Sequence, residues 1–130
     1  MLRSLVAIVA GFLFTGVGII LTTGALHTAF ADVYPPPPLR LEAPAALAME
    51  LTVVALFAIA GCWLAARLAP ARPMRHALIL GALAFAVGIP ETISAWAQAP
   101  AWYHLLNLVL VLPFAWVGGY LRQLQLGQAA

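Results

Sequence analysis

Four stretches of the sequence, Leu5 to Leu26, Ala45 to Ala66, Ala77 to Ala97 and Trp102 to Leu121, are each long and apolar enough to cross a lipid bilayer. A helix needs about 20 mostly apolar residues to span a hydrocarbon core roughly 30 Å thick. Of the 130 residues, 65% are hydrophobic and 8% charged, so almost nothing is left over for a soluble domain. The expected fold is all-α: four transmembrane helices at 4–27, 45–67, 76–97 and 101–122, forming one antiparallel bundle in a single domain, 1–130. Within hydrocarbon every backbone polar group must be satisfied internally. Function therefore has to come from intramembrane polar side chains, short loops or packing faces.

All six basic residues are arginine, and five of them, Arg3, Arg67, Arg72, Arg75 and Arg122, cluster at the two termini and the second loop. Only Arg40 lies in a loop of the opposite set. Basic residues in short loops stay cytoplasmic, so an N-in/C-in topology is expected, with the 69–76 loop also inside. In a soluble chain a net charge of +2 would hint at nucleic acid. Here the arginines set topology and lie near anionic headgroups, so the expected partners are membrane lipid and other membrane protein, not nucleic acid. Arg3 before an apolar run, with Ala29-Phe30-Ala31 ahead of Asp32, imitates a cleavable signal peptide. Such a peptide has an apolar region of about 7–15 residues, so the longer run here is expected to be retained as a span. The single cysteine, Cys62, excludes an intramolecular disulfide and reads as a small packing residue.

The first loop, 28–44, contains Tyr34 and the run Pro35-Pro36-Pro37-Pro38, which disfavours helix and makes a short stiff strap across the outer face. Pro44 suits the first turn of the second helix. Pro90 and Pro113 fall inside the third and fourth spans, where the carbonyls they free need other partners. Trp96, Trp102 and Tyr103 at one interface, with Trp63, Trp116 and Tyr120 at the other, read as aromatic belts.

Small residues recur at helical spacing: Gly11, Thr15, Gly18, Thr22 and Ala25 in the first span, and Ala77, Gly81, Ala84 and Gly88 in the third. Close helix contact in lipid depends on such residues. The third-span stripe continues onto Glu91, and in the second span Glu50 shares a stripe with Val54, Ala58, Gly61 and Ala65. Both carboxylates are thus expected on packing faces, roughly 8 to 9 Å below the interface. His27, His104 and Asn107 belong to the same outer layer.

Ionisable residues within a span mark candidate functional sites. Four uses of this layer are open. In one, Glu50 and Glu91 reach water or are protonated and hydrogen-bonded to His104, Asn107, Thr52 or Thr92. In another they load a proton or cation, which four short helices can support only in an oligomer. In a third, Glu50, Glu91, His27 and His104 hold a metal, or His27 and His104 ligate haem, although the Glu-x-x-His spacing of di-metal bundles is missing. No cofactor is called for on this basis. In the fourth the chain is an accessory or interaction subunit working through helix packing, as a homo-oligomer or within a larger membrane complex. Ser4, Ser94 and Cys62 lack a base at any nucleophile spacing, so no catalytic residue is assigned and enzyme activity is not expected.

The segments Arg75-His76-Ala77-Leu78-Ile79-Leu80-Gly81-Ala82 and Leu112-Pro113-Phe114-Ala115-Trp116-Val117-Gly118-Gly119-Tyr120-Leu121-Arg122 resemble those of small four-span bacterial inner-membrane proteins with no assigned activity. The resemblance implies the architecture and the bacterial inner membrane, and no chemistry. Small multidrug transporters differ in carrying an essential acid in the first span, which here has no charge between Leu5 and Leu26.

Overall fold

The computed structural model describes residues 1–36 and 39–128; Pro37 and Pro38 of the proline run, and Ala129 and Ala130, lie outside them. The helices are α1 (Leu2–Ala29), α2 (Pro44–Leu68), α3 (Pro73–Ser94) and α4 (Ala101–Gln128), and each is long and apolar enough to span a membrane. The chain is therefore an all-helical, multi-pass membrane protein. Pro44 and Pro73 stand at the first helical positions of α2 and α3, where their missing N–H is no loss. Pro90 and Pro113 sit inside continuous helices. α3 stops short of the expected residue 97 because Ala95 leaves the helical region and the chain tightens into a 3-10 turn, Trp96–Gln98.

The contacts fix direction as well as neighbours. Gly11 faces Gly61 and Ala65, and Gly18 faces Phe57, so α1 and α2 are antiparallel. Gly81 against Ala115 and Gly119 against Ala77 make α3 and α4 antiparallel, whereas Tyr103 on Glu50 together with Gly118 against Ile59 and Trp63 runs α4 parallel to α2. α2 and α3 each touch the other three helices, while among the described residues α1 and α4 are not substantially packed on each other. Both termini and the 69–72 connection share one end, where Trp63 Nε1 donates to Gln125 Oε1 at 3.0 Å. The Pro-rich loop and the 3-10 turn share the other, called here the loop end.

Small side chains make this packing possible. A Cβ on Gly11 would lie 2.6 Å from the Gly61 carbonyl oxygen, and one on Gly118 would lie 2.8 Å from the Trp63 amide nitrogen. Glycine is required at these crossings because the backbones themselves touch. The Thr15 hydroxyl reinforces the first, its one proton shared between the Gly11 carbonyl at 2.9 Å and the Phe57 carbonyl of α2 at 3.2 Å. Around them lies a core of Cys62, Ala65, Ala66, Ala77, Leu80 and Ala115, mostly alanine. A second cluster, Leu47, Ala99 and Tyr103, closes the loop end. Outward, large apolar residues such as Leu5, Leu13, Ile20, Leu56 and Ile93 are exposed and suit lipid.

The small stripes expected from sequence are thus engaged within the chain: α1 on α2, and α3 on α4. Substitution should separate the crossings by their tolerance. Gly61→Val places its side chain on Thr15 and the Gly11 carbonyl and should cost about 2–3 kcal/mol or more, as overpacking of a tight site does. Gly88→Ala meets only the end of the Leu108 side chain, and Gly16→Ala meets nothing, so both should stay within about 0.5 kcal/mol of wild type. Unfolding titrations in mild detergent give the order.

Candidate functional site

Glu50 sits near the start of α2, where Pro44 fixes the helix entry, and its side chain is only 16% exposed. Its two oxygens are both engaged. His27, on the last turn of α1, has Nε2 2.8 Å from Oε1, and the Tyr103 hydroxyl of α4 donates to Oε2 at 3.0 Å. With the imidazole N–H donating, a carboxylate accepts twice, and one side chain ties three helices together at the loop end. Charge-assisted bonds of this kind are among the stronger ones available.

The loop adds a cover. Tyr34 stacks on His27 with ring centroids 4.3 Å apart, and its hydroxyl donates to the Ala46 carbonyl at 3.4 Å. Burial first, and the Glu50 negative charge second, push the Tyr34 hydroxyl above the usual tyrosine range, so it stays a donor. The Leu41 N–H donates to the Gln98 carbonyl at 2.8 Å, pinning the strap to the 3-10 turn.

Beneath that strap lies a cleft of about 460 Å³, within the size of small-molecule sites. α1 and α3, both braced on α2, line its two sides, and toward the terminal end Gly11 faces Leu80. Phe12, Gly16 and Ile19 form one wall and Ala84, Val87 and Gly88 the other, with Ala58 and Cys62 of α2 also lining the space. At the loop end the lining becomes polar: His27, Glu50, Glu91, His104 and Asn107 all border it, as do Thr92 and Gln98.

All five residues of the outer layer expected from sequence therefore reach one space, and they divide into two groups. His27 and Glu50 are joined, with Tyr103. Glu91, His104 and Asn107 have no side-chain hydrogen bond into that cluster among the described residues. Glu91 is exposed at the rim. His104 is the opposite: it is 6% exposed, stacked on Trp96 at 5.6 Å and edged by Tyr103 at 5.5 Å, and its buried Nε2 has no hydrogen-bond partner.

The partners anticipated for Glu50 differ from those it has. Thr52 turns its hydroxyl back to the Ala48 carbonyl, 2.7 Å away, and the donor from α4 is Tyr103 in place of His104 or Asn107. Tyr103, expected in an interfacial belt, is 7% exposed. The sequence did hold a signal for it: Tyr103 and Asn107 are four apart and share a helix face. Among the described residues no three His, Cys, Asp or Glu side chains are grouped so as to hold a metal ion. His27 is hydrogen-bonded to Glu50 and His104 is packed between aromatic rings, so neither imidazole is presented as a free axial ligand.

No protein-family model, curated protein or solved structure matches this chain.

The Glu50 cluster can be weighed by a double-mutant cycle. Tyr103→Phe should destabilise the protein by about 0.5–2 kcal/mol, the range for polar contacts between membrane helices. Glu50→Gln should be mild, because the amide still accepts from Tyr103, while Glu50→Leu should be worse. Coupling between positions 50 and 103 of at least about 0.5 kcal/mol in unfolding titrations is expected for residues in direct contact.

Proposed function

We propose that this protein is a non-enzymatic accessory subunit of the bacterial inner membrane, with its N and C termini in the cytoplasm, which acts by receiving a bilayer-borne ligand or partner in the cleft between α1 and α3. The cleft is the observation that carries this reading. Membrane helices with compatible small faces ordinarily close on one another. Here Gly11 and Gly18 of α1 are committed to α2, and Gly81 and Gly88 of α3 to α4, leaving apolar walls around about 460 Å³. The five-to-one arginine distribution supports the orientation. The resemblance of the third-span and C-terminal segments to small four-span proteins supports the compartment.

Proton- or cation-coupled transport is less well supported. The two carboxylates of the layer are not linked to one another by hydrogen bonds among the described residues. Glu50 has both oxygens occupied, and Glu91 lies exposed at the rim. The metal reading lacks a ligand group, and assembly into a homo-oligomer gains no support from small faces already used inside the chain.

Two measurements test the proposal. A tag inserted beside Pro36 should be periplasmic and a reporter after Ala130 cytoplasmic; the reverse would overturn the orientation. Photo-crosslinking from position 16, on the cleft wall, in native membranes should capture a bound molecule or partner that a crosslinker at lipid-facing Leu13 does not. Equal labelling from both positions, or proton flux abolished by Glu50→Gln in reconstituted protein, would overturn the accessory role.

A further inference from the structure

Resting on that reading of the cleft, we infer that its occupant is a neutral amphiphile: an apolar chain carrying a compact oxygen headgroup, carbonyl or hydroxyl, with the chain between α1 and α3 and the head under the strap beside His104. Three features of the walls select such a molecule. The deep part is apolar, formed by Phe12, Ile19, Ala84 and Val87, and Gly16 adds open space there, since a Cβ on it would meet nothing within 4 Å. A void of that kind in lipid is filled by hydrocarbon more readily than by water, which needs two to four polar partners.

The loop end asks for hydrogen bonding. The His104 side chain borders the cleft, is 94% buried by its 6% exposure, and leaves Nε2 without a partner, a state that carries a desolvation cost. Its ring is stacked on Trp96 and edged by Tyr103, and no hydrogen bond ties Nε2, so the hydrogen-bonding capacity of that nitrogen is unspent beside the cleft. A neutral imidazole donates from one nitrogen and accepts at the other, so it can serve a carbonyl or a hydroxyl. Asn107, one turn along α4 and on the same lining, offers both functions as well.

Charge selects against anionic headgroups. No arginine lines the cleft among the described residues, while two carboxylates, Glu50 and Glu91, do. A phosphate beside them would be repelled without a compensating cation. A neutral oxygen head meets no such barrier. Two bilayer sources share this chemistry, a lipid-soluble quinone and a neutral glyceride.

The test uses the full-length protein in phosphatidylcholine nanodiscs, titrated in separate arms with decyl-benzoquinone and with monooleoylglycerol. Occupancy is read by native mass measurement, with quenching of Trp96 as a second readout for the quinone. One equivalent of at least one probe should bind saturably, and the tighter arm identifies the source. Added dioleoylphosphatidylglycerol should not compete. Gly16→Leu fills the void from a position with room for its Cβ and should abolish binding. His104→Phe keeps the stacked ring, removes the orphan nitrogen and should weaken binding about tenfold, the value of one hydrogen bond, while raising the Tm of the empty protein. If Gly16→Leu fails to fold, His104→Phe alone decides. Absence of saturable binding in both arms, affinity unchanged in His104→Phe, or displacement of the probe by anionic lipid would overturn the inference. A protein crosslinked at position 16 with no probe binding would overturn it too, yet leave the accessory reading standing.

Discussion

Direct backbone contact between helices is the constraint on which the rest of the structure depends. In lipid, apolar side chains gain nothing by leaving one apolar surface for another, so helices associate by close packing and by polar contacts. Gly11 against Gly61, and Gly118 against the Ile59–Trp63 segment, bring α1 and α4 onto α2 at distances that tolerate no Cβ. An alanine-rich core follows, because larger side chains would hold the backbones apart.

The same constraint opens the cleft. α2 presents small residues on more than one side, and α1 and α3 each use theirs on a different neighbour. They line its two sides, and toward the terminal end Gly11 meets Leu80. Polar contacts hold the loop end: Glu50 joins α1, α2 and α4 through His27 and Tyr103, and the strap is bonded to the 3-10 turn through Leu41 and Gln98. The Glu50 cluster is thus a structural clamp at the loop end, and His104, Asn107 and Glu91 border the cleft outside it.

This division bears on how intramembrane charge is read. A carboxylate in a span draws attention as a candidate for ion or proton movement. Here one of the two is committed to holding helices together, and the polar atom without a partner belongs to a histidine. The more informative residue at this level is the one whose hydrogen-bonding capacity is unspent.

The number, order and span of the helices were legible in the sequence, because hydropathy over about 20 residues and proline at helix starts act locally. Residue count along each helix also placed His27, Glu50, Glu91, His104 and Asn107 in one layer, and all five line one cleft. Tertiary structure alone decided the partners. That Tyr103 and not His104 reaches Glu50 depends on the rotation of α4 against α2, set by Gly118 far along the helix. That Gly11 contacts a neighbouring backbone while Gly16 faces open space depends on how α1 lies against α2 and α3. Helical periodicity gives the face on which a residue lies; only the crossing of whole helices determines whether that face is filled by a neighbour or left as a cavity.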